Sequence, residues 1–153
     1  MMTRGTDKIW DSASYWSEQA ERAFAAARRR AQSEEAVDHP PGKPSGLLPF
    51  AEVRQRSGLL VEGEERTETV ALDRIVGSVG KAQLFTRSFY PRSDDLRARW
   101  KAAYAVTHGL RGYEPIELYE AEGLFYVVDG HFRVSVARAI GYDTIEAKVR
   151  RWA

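Results

Sequence analysis

The sequence contains no cysteine. This absence excludes disulfides, thiolate metal ligands and a cysteine nucleophile, and with them redox chemistry that proceeds through sulfur. Long apolar runs are also missing, because no stretch approaches the roughly 18 consecutive apolar residues of a membrane span. The first residues, MMTRGTDKIWDS, lack the apolar core of a secretory signal. These absences predict a cytoplasmic protein that does not associate with a membrane.

The sequence also has no excess of charge of either sign. Its 23 lysines and arginines face 22 aspartates and glutamates, which leaves a net charge of +1. A protein whose main partner is nucleic acid usually carries a clear cationic excess, so the composition gives no support for that class. With 43% hydrophobic and 29% charged residues, the 153-residue chain has the composition of a soluble globular protein.

Proline is concentrated in residues 38–49, which hold four of the six prolines and predict a linker or an irregular segment. Before this segment, apolar residues at steps of three and four predict one helix over residues 12–37. Its apolar stripe must pack either on the main domain or on a second copy of the chain, which would make a homodimer through this helix. The stripe consists of Ala13, Trp16, Ala20, Phe24 and Ala27. We therefore predict an N-terminal helix and linker over residues 1–66 and a compact domain over residues 67–153.

The compact domain is predicted to have the element order β–α–β–β–α–β. A short helix over residues 50–57, ended by Gly58, and an exposed charged connection at 62–65 precede it. The predicted elements are a strand at 69–75, a glycine-containing turn at 76–81, a helix that starts after Ser93 and ends near Gly109, hairpin strands at 115–119 and 124–128, a helix at 131–140 and a strand at 144–149. This order predicts an α+β fold, a small mixed sheet with flanking helices and an N-terminal helical extension.

The segment FYVVDGHFRVSVARAIG, residues 125–141, predicts a strand that runs into a helix opened by glycine. The first turn of a helix leaves N–H groups without partners and carries a partial positive charge. Glycine lets an anion approach these amides closely, and an arginine in the same turn adds a bidentate charged contact. The predicted phosphate-binding residues in this segment are Gly130, His131, Phe132, Arg133 and Ser135.

Two side chains in this segment are candidate catalytic residues. His131 can move a proton near neutral pH, and Asp129 can cap the helix, hold a metal or accept a proton from an attacking hydroxyl. These two residues and Arg133 also have purely structural interpretations: Asp129 as a cap, His131 as a satisfied buried histidine, and Arg133 as the partner of a carboxylate such as Glu117. Their concentration at one strand-to-helix junction favours an anion site, and no dedicated metal site is predicted.

A second cluster, the pentapeptide GSVGK at residues 77–81, follows the first predicted strand. Its residues Gly77, Ser78 and Lys81 are candidates to close over the same phosphate from the facing side. The alternative is a flexible turn with a solvated lysine. The sequence does not decide between the two, and Arg74 and Arg87 are weaker candidates that fit surface charges better.

The stretch LYEAEGLFYVVDGHFRVSVARAIGYDTIEAKV resembles the N-terminal domain of ParB-type proteins, in which a strand ends in a glycine followed by an arginine at a helix start. The upstream segments ALDRI and EPIELYEA are similar to the family's first two strands, so the resemblance covers about residues 69–150. The fold is shared by sulfiredoxins, CTP-hydrolysing ParB proteins and a free-serine kinase that uses ADP. The resemblance implies nucleotide phosphate at Gly130, His131 and Arg133.

Departures from the family narrow this expectation. Sulfiredoxin needs a cysteine in the glycine turn, and the second phosphate motif and helix-turn-helix of partition proteins have no counterpart in these residues. The DGHxR form, Asp129 to Arg133, is most similar to the serine-kinase branch, whose catalytic carboxylate would correspond to Asp73 or Glu117. The resemblance thus implies a nucleotide or phosphorylated small molecule as ligand, a Mg-nucleotide as cofactor, and phosphoryl transfer or phosphate hydrolysis as activity.

Two alternatives come from the same resemblance. A non-enzymatic module that associates with DNA or a protein partner is favoured by the basic runs at residues 28–30 and 148–151, although a solvated helix end explains the first run more simply. The balanced net charge argues against this alternative. A ParB-like nuclease would need several converging carboxylates to hold metal, and the acidic residues of this sequence are scattered.

Overall fold

The computed structural model of the protein describes residues 4–37, 46–107 and 114–153, with side chains from Tyr15 onward. Most of the predicted linker, the predicted helix end near Gly109 and the side chain of Ala13 lie outside the described residues. None of the helices in the described part of the chain combines the length and apolar character that crossing a membrane requires.

The described residues form an α+β fold with four α-helices and a six-stranded mixed sheet, which confirms the predicted class. The helices are α1 (Arg4–Val37), α2 (Phe50–Ser57), α3 (Arg97–Thr107) and α4 (His131–Ala139). The strands are β1 (Leu48–Pro49), β2 (Glu62–Ala71), β3 (Ile75–Ser78), β4 (Ile116–Ala121), β5 (Leu124–Asp129) and β6 (Thr144–Trp152). Across the sheet the order is β1-β3-β5-β4-β6-β2.

Strands β1, β3 and β5 are parallel neighbours, so their carboxyl ends meet at one edge of the sheet, here called the carboxyl edge. Helix α2 begins directly after β1, and α4 begins one residue after β5. Strand β4 is antiparallel to β5 and parallel to β6, and β2 is antiparallel to β6. Two helix N-termini therefore lie at the carboxyl edge, the place where open sheets commonly bind ligands.

Helix α1 packs on the body of the domain. Its residues Ala20, Phe24 and Ala27 are buried in the main core, and the Phe24 ring lies 5.7 Å from that of Trp100 in α3. The apolar stripe thus packs on the main domain, which is one of its two predicted partners. Trp16 departs from the pattern because it is exposed. The helix starts well before residue 12, in turns where the apolar stripe gives no signal.

The sequence interpretation fails where β2 begins. Residues 62–65, predicted as a loop, are the start of this edge strand, whose backbone pairs with β6 as far as Trp152. Most of its side chains are exposed, so the strand lacks the apolar alternation by which strands are recognised. The predicted boundary between residues 66 and 67 falls inside β2.

The predicted strand at 69–75 is divided in the structure. Strand β2 ends at Ala71, a 3₁₀ turn spans Leu72–Arg74, and β3 begins at Ile75. Gly77 and Ser78 therefore lie in a strand and not in the predicted turn, which is confined to residues 79–81. Elements marked by strong local signals agree better with prediction: α2 ends at Gly58, and the Ser93 hydroxyl accepts the N–H of Asp95 ahead of α3.

The sheet has two differently covered faces. Helices α1, α3 and α4 cover the main core, which includes Trp100, Ile116 and Val134. Helix α2 covers part of the other face through a smaller cluster that contains Phe50 and Tyr126. At the carboxyl edge, one face of the sheet therefore borders the large core and the other is only lightly covered.

Candidate functional site

The N-terminus of α4 has no side-chain cap. Gly130 is its N-cap residue, with a φ of 109°, and no side chain among the described residues accepts a hydrogen bond from the first turn. Asp129 is exposed and does not cap the helix, in contrast to one of its predicted roles. The N–H groups at the start of α4 have no acceptors within the helix, so they can serve an anion.

Two contacts explain why residue 130 is glycine. A Cβ atom here would lie 2.4 Å from Ile116 Cγ2, so the close approach of β4 leaves no space for a side chain. The same Cβ position is 3.3 Å from Nη2 of Arg133, so this guanidinium lies against the glycine. The positive φ is a conformation that other residues rarely adopt.

Arg133 donates through Nη1 to the main-chain carbonyl of Glu114. Its partner is thus a carbonyl and not the predicted carboxylate of Glu117. No ion pair of Arg133 occurs among the described residues. The contact fixes the guanidinium beside the α4 N-terminus while leaving its positive charge without a paired carboxylate in the described structure.

A buried hydrogen bond joins α4 to the last residue of β3. His131 Nε2 lies 2.7 Å from the hydroxyl oxygen of Ser78, and that oxygen also accepts the Lys81 N–H at 3.0 Å. Both side chains are buried, with 3% of the His131 surface exposed. We assign the Ser78 proton to the bond with Nε2, which leaves the imidazole proton on Nδ1. The loop that carries Lys81 is thereby held beside the α4 N-terminus.

His131 is neutral at physiological pH. Burial, together with the positive charge of Lys81, lowers its pKa from 6.5 to about 4, while Asp129 acts in the opposite direction. With its Nε2 atom engaged by Ser78, the imidazole is suited to positioning the loop and not to moving a proton near neutral pH. The geometry therefore favours the structural interpretation of this histidine over the catalytic one.

The buried histidine predicts a specific pH dependence of stability. As the pH falls, the unfolded chain takes up the His131 proton near its ordinary pKa of 6.5, whereas the folded protein does so near 4. Between pH 7 and pH 5 this difference lowers the free energy of unfolding by about 2 kcal/mol. His131→Gln keeps a hydrogen-bonding group but does not titrate. Its free energy of unfolding, measured with urea, should therefore fall less between pH 7 and pH 5 than that of the unchanged protein. If the free energy of unfolding depended equally on pH in the two proteins, the lowered pKa of His131 would be contradicted.

Two of the predicted phosphate ligands are buried in packing contacts. Ser135 is fully buried and accepts the indole N–H of Trp100 at 2.8 Å, so it joins α4 to α3. Gly77 lies in β3, where a Cβ would be 2.3 Å from Cδ2 of Tyr126 and 2.4 Å from the Leu48 carbonyl oxygen. Both residues are therefore buried and engaged in strand pairing or helix packing.

Phe132 contributes a backbone N–H to the first turn of α4, while its side chain packs on Phe85 at 5.3 Å. The guanidinium of Arg99, in α3, lies over the Phe132 ring at 4.9 Å from its centroid. Arg99 thus brings a further positive charge near the α4 N-terminus. The sequence gives no local signal for this contact, because the two residues belong to different helices.

The two candidate catalytic carboxylates of the kinase-like interpretation lie in different places. Glu117 is the register partner of Asp129 in the β4–β5 pair, close to the carboxyl edge. Asp73 lines a polar cavity of about 450 Å³ together with Arg138, near the C-terminal end of α4. Arg74 and Arg87 donate to main-chain carbonyls, of Gly123 and Gly46 respectively. Of these residues, only Glu117 is adjacent to the Asp129–Arg133 segment.

Comparison of the chain with protein-family models, with curated proteins and with solved structures finds no match.

Proposed function

We propose that the protein binds the phosphate groups of a nucleotide or another phosphorylated small molecule at the N-terminus of α4. The observation that carries the proposal is the uncapped first turn after Gly130, with the guanidinium of Arg133 fixed against it. Amides and a cation at one point are the arrangement that phosphate oxygens require. The resemblance to ParB-type domains over residues 69–150 supports a nucleotide as the source of the phosphate.

The loop at residues 79–81 contributes a charge and not a backbone cradle. The N–H of Val79 is bonded to the Val127 carbonyl, and that of Lys81 to the Ser78 hydroxyl. The ammonium group of Lys81 is exposed, yet near enough to influence the pKa of His131 in the first turn of α4. Lys81 is thus suited to face a phosphate held by α4, as a mobile point charge.

Phosphoryl transfer or hydrolysis is the activity that such a site would support, with Asp129 as the proton acceptor. Its carboxylate is exposed at the strand-to-helix junction, whereas His131 is engaged by Ser78. The described residues contain no group of three side chains suited to a metal. Magnesium bound with a nucleotide takes most of its ligands from phosphate and water, so one carboxylate such as Asp129 is compatible with a Mg-nucleotide.

The proposal is tested by titrating the protein with MgADP in a calorimeter. Arg133→Ala should weaken binding by roughly tenfold to a hundredfold, because a charge-assisted hydrogen bond contributes about 1.5 to 3 kcal/mol. Arg138→Ala is the matched control, since this arginine lies on the same helix and also donates to a main-chain carbonyl, that of Leu72. The control should bind MgADP as the unchanged protein does.

Two outcomes count against the proposal. The first is that the unchanged protein binds neither MgADP nor inorganic pyrophosphate at millimolar concentrations. The second is that Arg133→Ala and Arg138→Ala affect binding equally, which would indicate a loss of stability rather than of a ligand contact. Thermal unfolding of both variants without ligand separates the two effects.

We do not extend the proposal to DNA. In the first basic run, Arg28 forms an ion pair with Asp94 at 3.0 Å. In the second, Arg150 lies 3.8 Å from a carboxylate oxygen of Glu65. Arg28 and Arg150 are thus engaged within the domain, which weakens the case for these two runs as a nucleic-acid surface.

A further inference from the structure

A groove of about 970 Å³ lies between α2 and the lightly covered face of the sheet. Its volume is in the range of small-molecule sites. One side is formed by α2, including Phe50 and Arg54, and the floor includes Tyr119 and Trp152. The other rim is the loop after β3, through Val79, Gly80, Ala82 and Gln83.

The wall of this groove is aromatic. The Phe50 ring lies 5.1 Å from that of Tyr119 and 5.6 Å from that of Trp152, and the last two are 5.4 Å apart. The guanidinium of Arg54 lies over the Trp152 ring at 4.5 Å. Phe50 is itself buried, so the surface open to a ligand consists of the partly exposed Tyr119 and Trp152 and of the exposed Arg54. A planar ring stacks on aromatic and guanidinium groups of this kind.

Two amide side chains supply polarity at the edges of the groove. Gln55 on α2 and Gln83 on the loop are both exposed and line it from opposite sides. An amide offers both a donor and an acceptor, which is the pattern presented by the edge of a nucleobase. A planar heterocycle with polar edges therefore fits the lining better than an aliphatic chain does.

The loop after β3 links this groove to the α4 N-terminus. The residues on both sides of Lys81 line the groove, while Ser78 in the same segment is bonded to His131. Strands β1 and β5 are the two neighbours of β3, so the start of α2, at the near end of the groove, lies roughly two strand spacings, about 10 Å, from the start of α4. A nucleoside with its phosphates has a comparable length. Trp152 lies at the far end of the groove, because strand register places it level with the first residue of β5, Leu124.

We infer that this groove holds the base of a nucleotide whose phosphates lie at the α4 N-terminus. The inference rests on the proposed function and deepens it, because it selects nucleotides over inorganic phosphate and small sugar phosphates. Most of the groove is built by residues 49–62 and by Trp152, which lie outside the 69–150 region of resemblance.

The inference is tested with ADP, ribose 5-phosphate and pyrophosphate as probes, each with magnesium, in calorimetric titrations. The unchanged protein should bind ADP about tenfold or more tightly than the two probes without a base, since stacking of a base contributes at least that factor. Ala51→Trp places a large ring in the groove from an exposed position on α2. It should reduce ADP affinity to that of pyrophosphate and leave pyrophosphate binding unchanged.

Ala102→Trp is the matched control, because Ala102 is an exposed alanine on another helix, α3. It should leave the affinities for all three probes unchanged. Gln83→Trp, which fills the groove from the opposite rim, should reproduce Ala51→Trp and guards against misfolding of either variant. Circular dichroism confirms the fold of each.

The results separate this inference from the proposed function. If ADP and pyrophosphate bind equally and Ala51→Trp and Gln83→Trp change neither, the base lies elsewhere and the inference is overturned, while the phosphate site stands. If both groove variants weaken the binding of pyrophosphate as much as that of ADP, the groove is not selective for a base, and the inference is also overturned. If none of the three probes binds the unchanged protein, the proposed function itself fails.

Discussion

Phe24→Ala is expected to lower the free energy of unfolding by about 3 to 5 kcal/mol, the usual cost of removing a large aromatic side chain from a core. Phe24 is 1% exposed and packs against Trp100, and the guanidinium of Arg97 lies over its ring at 5.0 Å. The effect follows from the position of α1 inside the main core. Urea unfolding followed by circular dichroism measures it.

Val37→Ala provides the comparison, because Val37 lies at the end of the same helix and is 81% exposed. Its substitution should change the free energy of unfolding by less than about 0.5 kcal/mol. A Phe24→Ala protein as stable as Val37→Ala would show that α1 does not contribute to the core, and the packing described here would be wrong.

Gly130→Ala is expected to cost about 3 kcal/mol, because two penalties add. The φ of 109° disfavours any residue with a Cβ, and that Cβ would lie 2.4 Å from Ile116 Cγ2. Since Ile116 is fully buried in the main core, it cannot move aside without disturbing the packing around it. The loss should appear in urea unfolding without ligand.

Gly141→Ala separates the two penalties. Gly141 also has a positive φ, of 92°, but a Cβ there would meet nothing within 4 Å. Its substitution should therefore cost only about 1 kcal/mol, the conformational penalty alone. Equal losses for the two variants would mean that Ile116 does not press on the α4 N-terminus.

Elements with local signals could be predicted from the sequence. Helix α2 ends at Gly58, and Ser93 caps the turn before α3, because capping depends on residues only a few positions apart. Strand β2 could not be predicted, because its exposed first residues, from Glu62 onward, carry no apolar alternation and are held by backbone pairing with β6. That pairing joins segments distant in sequence.

The candidate site, too, could be predicted from the sequence only in part. Gly130 and Arg133 could be identified because a glycine and an arginine at a strand-to-helix junction form a local pattern. The bond between Ser78 and His131 could not, because it depends on where β3 lies beside β5. Local sequence likewise gives no sign that the indole N–H of Trp100 donates a hydrogen bond to the hydroxyl of Ser135.

The central claim is that the amides opening α4 hold phosphate, and backbone NMR tests it most directly. Titration of ¹⁵N-labelled protein with Mg-pyrophosphate and then MgADP should shift the amide signals of Gly130, His131 and Phe132 most strongly with both ligands. Saturation with these three signals unmoved, while amides elsewhere shift, would contradict it.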